Sequence, residues 1–370
     1  MKRRVCWLIK GLGPGGAEHL LVAEAGARDR ERFHYECGYL LPWKSHLVSD
    51  LEALDVPVRC LQGGNDADLR WAARLRRWLL EEPFDILHVH SPYVAGIARL
   101  VVRSLPRRAR PHLVSTEHNA WSTFALPTRV LNAVTAPFDE AVFTVSEETR
   151  ASMWSPVRRH AETVLHGIDL ARARTAQDDR DAARKELDVD DDTILAGTIA
   201  NFREQKDYPN MLRAARVLAD RGVPVKFCLV GQGPLETEIR ALQQELRLDG
   251  TVTLTGFRED ALRLLAACDL FVLSSRYEGL PVALMEALAL GLPVVSTAVG
   301  GVAETLTDGV EALLVPAQRP DLLADAIEVV VRDDALRARL AVSAARLGDR
   351  FDVANSVRHI ESRYDELLAR

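Results

Sequence analysis

The sequence predicts an α/β protein made of two doubly wound, Rossmann-like domains facing a central cleft. Three observations carry this. Short β-branched runs alternate with amphipathic segments along almost the whole chain. The runs of the second half lack polar alternation, as parallel strands do when helices cover both sheet faces. And 370 residues, 48% of them hydrophobic, exceed what one core organises, since single cores stop growing near roughly 250–300 residues.

Taken in order, the strand candidates of the first half are "RVCWLIK", "HYECGYLL", "VPVRCL", "DILHVH", "HLVSTEH", "EAVFTVS" and "TVLHG", with helical patterns between them such as Asp68 to Glu81. A polar interval from about Asp169 to Asp192 follows. A second series then runs "TILAGTIA", "VKFCLVG", "TVTLTGF", "DLFVLSS", "LPVVSTAV" and "ALLVP". The boundaries expected are residues 1–168 and 169–350, with a last helix at about 351–370, patterned from Val353 to Leu368, packing back on the first domain. Ligands of such sheets sit at the carboxyl ends of the strands.

A charged fraction of 27% and a net charge of −6 carry no basic excess that would favour nucleic acid as a partner. Five widely spaced cysteines, Cys6, Cys37, Cys60, Cys228 and Cys268, form no CxxC pair and read as buried, reduced thiols of a cytoplasmic protein. The basic start is broken by glycines too early for a signal peptide. No apolar run reaches the roughly 18–20 residues of a membrane span.

The first strand leads into Gly11-x-Gly13-x-x-Gly16, which matches the dinucleotide fingerprint literally. That fingerprint also needs an acidic residue at the end of the second strand for the ribose. Glu36 stands at the right distance but falls mid-strand, and Pro14 sets the turn differently. What survives is a glycine turn at a helix start, whose free N–H groups suit an anion.

The second half holds the more specific signal, "SSRYEGLPVALMEALALGLPVVSTAVGG". Pro281 fits the first helical position, "VALMEALAL" is made of helix formers, and Gly291 and Pro293 end the helix. Glu278 therefore lies in the loop before the helix and Glu286 within it. The amides around Gly279 and Leu280 form a helix start that favours phosphate. Two acceptor-only carboxylates beside such a cradle suit a hydroxyl-rich ligand.

This segment resembles the Glu-x7-Glu motif of the retaining glycosyltransferases of family 4, which have the GT-B fold. The resemblance implies that Glu278 contacts the transferred sugar and Glu286 the nucleotide ribose. "ANFREQKDYPNMLRA" is similar to the family's basic diphosphate clamp, giving Arg203 and Lys206, with Asn201 where the family usually has arginine. "LVGQGPLE" resembles the glycine turn containing Gly233, and "VTLTGFRED" the segment whose Phe257 and Arg258 border the base. "VLHGIDLARA" is similar to the family's hinge, with His166 in place of asparagine. Gly15 and Gly16 match the glycine pair near the donor phosphate, and His118 in "VSTEHNAW" the histidine near the reacting sugar.

The resemblance implies transfer of a sugar, with retention, from a nucleoside-diphosphate sugar (UDP- or GDP-linked) to a hydroxyl acceptor that is a glycan, a lipid-linked acceptor or a small molecule. It implies no required cofactor or metal. Competing classes are a nucleotide-sugar epimerase or hydrolase, an NAD-dependent oxidoreductase and a non-enzymatic sugar-nucleotide sensor. His88 and His90 share a strand face and could join His118 in a zinc triad, but no further ligand completes a recognisable set. Asp66-Ala67-Asp68 imitates a metal-binding DxD and reads better as helix capping. Arg99 to Arg110, with Trp71 and Trp78, could form a face for an anionic membrane, as a peripheral contact, or for a phosphorylated acceptor. The bland reading, a solvated surface, is favoured because a lipid-facing helix should show a larger apolar stripe.

Overall fold

A computed structural model describes residues 2–64, 68–190 and 192–369. The chain divides into two compact units, Met1–Gly167 with Val353–Arg370, and Ile168–Asp352. Both are parallel α/β sheets.

The first unit holds seven strands: β1 (Arg3–Ile9), β2 (Phe33–Tyr39), β3 (Val58–Cys60), β4 (Ile86–Val89), β5 (His112–Glu117), β6 (Ala141–Thr144) and β7 (Ala161–Thr163). They run in the order β3-β2-β1-β4-β5-β6-β7, every neighbour parallel. The order reverses between β1 and β4, which register as Val5 opposite Ile86 and Leu8 opposite Val89. β4 and β6 are buried along their whole length, the physical reason their sequences carry no alternation. The Val353–Leu368 helix places Ile360, Tyr364 and Leu367 in the same apolar cluster as Val5, Trp7, Phe33 and Tyr35.

The second unit holds β8 (Ile194–Ile199), β9 (Val225–Val230), β10 (Val252–Gly256), β11 (Leu270–Leu273), β12 (Val294–Thr297) and β13 (Ala312–Val315). Their order is β10-β9-β8-β11-β12-β13, again all parallel. Here the switch falls between β8 and β11. In such sheets the crevice beyond those two strand ends is where a ligand has room, because the helices leave on opposite faces.

Several local expectations are corrected. The seventh strand is Ala161–Thr163, so "TVLHG" is mostly the loop after it. Pro281 is the residue before the helix rather than its first: the helix is Val282–Ala289, and Pro281 has φ −67° and ψ 133°. Gly291 follows that helix at φ +69°, a left-handed position where glycine carries no Cβ penalty. Cys60 is only half-buried, while the other four cysteines are buried and all five are free thiols. Trp71 and Trp78 belong to the core, and so does Arg99, ion-paired with Asp139 at 2.6 Å; none of the three forms a surface. Asp66 lies outside the described residues. Asp68 accepts the Arg70 amide at 3.0 Å at the start of the Arg70–Glu81 helix. Among the described residues no helix is long and apolar enough to cross a membrane.

Candidate active site

Two loops meet at the switch point of the second unit. The first leaves β8 and makes a short 3-10 turn, Glu204–Lys206, with Arg203 before it and Asp207 after it in left-handed conformation. The second leaves β11 and runs from Ser274 to Pro281 before the Val282–Ala289 helix begins. Because β8 and β11 are hydrogen-bonded neighbours, their loops emerge side by side.

The two loops are bonded together at several points. Ser274 Oγ donates to the carbonyls of Lys206 (2.9 Å) and Asp207 (3.1 Å), and the Arg276 amide donates to Gln205 O at 2.8 Å. Arg276 also pairs with Glu204 and Asp207. At the centre, Lys206 Nζ stands 2.5 Å from Glu278 Oε1. The same oxygen accepts from Ser275 Oγ at 2.5 Å, and Gln205 Nε2 reaches the other at 3.1 Å. Glu278 is 8% exposed, and a carboxylate so buried persists as an ion only when its lone pairs are filled this way. Three bonded groups thus fix one carboxylate in a single orientation.

Beyond Glu278, Gly279 and Leu280 are half-buried and lead into the helix start, whose first amides have no partner within the helix. Glu286 is half-buried on that helix, and burial pushes its carboxyl up to about 7 against the opposing pull of Arg172. It can therefore donate a hydrogen bond as well as accept one near neutral pH. Arg203, the residue before the Glu204–Lys206 turn, is exposed.

Gly233 follows β9 and packs on the β8 loop. A Cβ there would stand 2.5 Å from Phe202 O and 2.8 Å from Phe202 N, so only glycine allows the contact. The Leu235 amide then donates to Phe202 O at 3.1 Å. Phe257 and Arg258 lie past β10 at the sheet edge. Phe257 is exposed, and Arg258 is turned onto Glu186 (2.8 Å) and Asp260 (2.7 Å), which ties it to the neighbouring helix. The structure thus brings Lys206, Glu278, Gly279 and Leu280 together with Arg203 and Gly233, and leaves Arg258 engaged elsewhere.

In the first unit, Gly15 is the extended residue before the Gly16–Ala27 helix, and Gly16 is its first residue. His118 directly follows β5. Its ring is one of a row: His88 to His90 at 4.1 Å, His90 to His118 at 5.8 Å and His118 to His166 at 5.4 Å between centroids. The rings stack rather than converge, and among the described residues no cluster suited to a metal ion occurs. His88 is held by Thr116 Oγ1 (2.7 Å) and Tyr364 OH (2.5 Å), and His166 Nδ1 by Glu24 Oε1 (3.0 Å). The Nε2 atoms of His90, His118 and His166 are buried and find no partner among the described residues. Burial, with a further push from His166, brings His118 down to about 3, so it is a neutral imidazole at physiological pH.

Sequence reasoning missed Ser275, and also Gln205 and Arg276, whose parts in the loop junction depend on partners some seventy residues away; it read His166 as a hinge marker. The one local signal was Ser275, three residues before Glu278, a spacing that lets a hydroxyl reach a following side chain.

A helix start with free amides, a buried carboxylate and a lysine at the switch point of one of two parallel α/β units make an anion-binding site of the doubly wound α/β class. Comparisons with known proteins agree. The family model "Glycosyl transferases group 1" matches residues 179–346 and "Glycosyltransferase Family 4" matches residues 2–172. Each covers one part of the chain and together they span nearly all of it, which supports a GT-B glycosyltransferase family. The alpha-D-kanosaminyltransferase of Streptomyces kanamyceticus is 29% identical over 318 residues, 81% of each chain. The phosphatidyl-myo-inositol mannosyltransferase of Mycolicibacterium smegmatis is 26% identical over 361 residues, 92% of this chain and 87% of the relative. The crystal structure of Anabaena HepE with UDP-glucose superposes with a TM-score of 0.86 at 23% identity, covering 98% of this chain and 99% of that one.

Proposed function

We propose that this protein transfers a glycosyl group, with retention, from a UDP- or GDP-linked sugar to a hydroxyl acceptor. The observation that carries the reading is the Lys206–Glu278 pair at 2.5 Å, set between the loops of β8 and β11. It puts a cation and a fixed carboxylate beside an open helix start, the three features that a diphosphate joined to a sugar requires.

Each residue then has a physical task. Lys206 and Arg203 neutralise the diphosphate as the anomeric carbon–oxygen bond breaks, and the Gly279–Leu280 amides accept the same developing charge. Glu278 holds sugar hydroxyls, and Glu286 holds the ribose. Neutral His118, with its free Nε2, bonds a sugar hydroxyl without adding charge, and Gly15 and Gly16 allow the phosphate to approach the Gly16–Ala27 helix start. The acceptor oxygen bonds to the anomeric carbon on the face the diphosphate leaves, and its proton passes to the departing diphosphate. Supporting the donor class, the similar HepE structure is a complex with UDP-glucose.

The test is turnover of UDP-glucose and GDP-mannose with and without acceptor mixtures, with the product anomer read by NMR. The reading expects nucleotide release that depends on acceptor and an α product from an α donor. Acceptor-independent sugar release, or an inverted product, overturns it. Lys206→Ala should lower turnover by about 10²–10³-fold, the usual effect of removing one preorganised charge-stabilising group.

A further inference from the structure

The bland reading of the arginine-rich segment rested on the lack of an apolar stripe. The structure supplies that stripe on the next helix. Along Leu126–Thr135, Leu126, Val130 and Val134 are 69%, 55% and 68% exposed. Spaced four residues apart, they form one ridge about 12 Å long at 1.5 Å per residue. The opposite face is committed to the interior: Asn132 and Thr135 are buried against Arg99, and Leu131 lies over Gly96. The helix contains no acidic residue, and its one charge, Arg129, is exposed.

Two neighbouring helices bring cations to this part of the unit. The Pro92–Arg103 helix packs beside the ridge helix and presents exposed Leu100 and Arg103, followed by exposed Arg107 and Arg108. Arg103 lies 4.9 Å over the ring of Phe138, in the turn that continues the ridge helix. The Ser155–Arg158 helix packs on that same turn and brings Trp154, 51% exposed, with exposed Arg158 and Arg159. The nearby acids are engaged: Asp139 with Arg99, Glu140 with His112 and Glu147 with Arg150.

We propose that this face of the first unit docks on an anionic lipid bilayer. An apolar ridge too short to span, with arginines and a tryptophan nearby, has the composition of an element lying in the membrane interface. Charge argues against a second copy as the occupant, because a two-fold contact would set the arginines against their duplicates. The proposal stands apart from the transfer reading, since it concerns no residue assigned to the sugar-nucleotide site.

The test is cosedimentation of the intact chain with vesicles of equal parts phosphatidylglycerol and phosphatidylcholine, and with vesicles of phosphatidylcholine alone. The chain should pellet with the first and not the second, and less as salt rises. Val130→Ser/Val134→Ser and, separately, Arg107→Ala/Arg108→Ala should each weaken partitioning by about tenfold or more, with unchanged circular dichroism. UDP-glucose turnover without vesicles should be the same in all variants. No pelleting with anionic vesicles, or pelleting untouched by both double variants, overturns the proposal. So does self-association in the ultracentrifuge that the valine substitutions abolish.

Discussion

Replacing Lys206 by alanine tests the junction of the two loops as structure, apart from catalysis. The substitution leaves Glu278, whose side chain is 5% exposed, without its counter-ion. Stripping one partner from a fully buried pair costs about 3–5 kcal/mol. Here the carboxylate keeps the Ser275 and Gln205 bonds and Lys206 is itself 18% exposed, which lowers the expectation to about 2–3 kcal/mol. Glu278→Gln removes the charge but keeps the shape, and its lysine can turn toward water, so about 1 kcal/mol is expected. The double variant should then lose less than the sum, with a coupling of about 1–2 kcal/mol. All six tryptophans, Trp7, Trp43, Trp71, Trp78, Trp121 and Trp154, lie in the first unit. Tryptophan emission therefore reports that unit, and far-ultraviolet circular dichroism reports both. The loss should appear as a transition in circular dichroism lowered by about 5–10 °C, given 2–4 °C per kcal/mol for a domain of this size. Strict additivity of the two single substitutions would refute the claim that this contact is an interacting buried pair.

Two further outcomes follow from the same geometry. Glu286 and Glu117 are both raised by burial to about 7, so the folded chain binds more protons than the unfolded one between about pH 4.5 and 7, and stability is present below that window and lost as pH rises through it. Glu286→Gln should be the more stable form at pH 8 by at most about 3 kcal/mol, and the advantage should vanish at pH 4, as measured by melting at the two pH values. Gly233→Ala sets a Cβ against the backbone of Phe202, which cannot move aside as a side chain would. It should cost about 1–3 kcal/mol and weaken UDP binding by calorimetry, whereas Gly250→Ala, with nothing within 4 Å, should do neither.

The strands were legible because a parallel strand buried on both faces has to be continuously apolar, and "DLFVLSS" and "LPVVSTAV" can be little else. Glu278 and Glu286 could be placed before and within a helix because Pro281, Gly291 and Pro293 punctuate it locally, even though Pro281 proves to stand one residue outside. What the sequence hid was set by distance along the chain. Arg99 looked like one of a solvated run, yet Asp139, forty residues on, with Asn132 and Thr135, draws it into the interior. Trp71 and Trp78 read as one edge of a basic face, but their side of that helix is the side the sheet covers. The strand reading of "TVLHG" failed past its first residues: Val164 still donates its amide to Thr144 O and joins the core cluster, but Leu165 is exposed and His166 bonds to Glu24. Gln205 and Arg276 carry no signal of their own until β8 and β11 become neighbours.

The chain leaves the first unit at Gly167 and returns at Val353, and the returning helix supplies Tyr364 to His88 and Glu361 to Tyr35. During synthesis the second unit, an uninterrupted stretch, can close as soon as it has left the ribosome. The earlier-made sheet must wait, with a groove where Ile360, Tyr364 and Leu367 belong, until the Val353–Leu368 helix has emerged as well. The half of the protein translated first is thus the last to be completed.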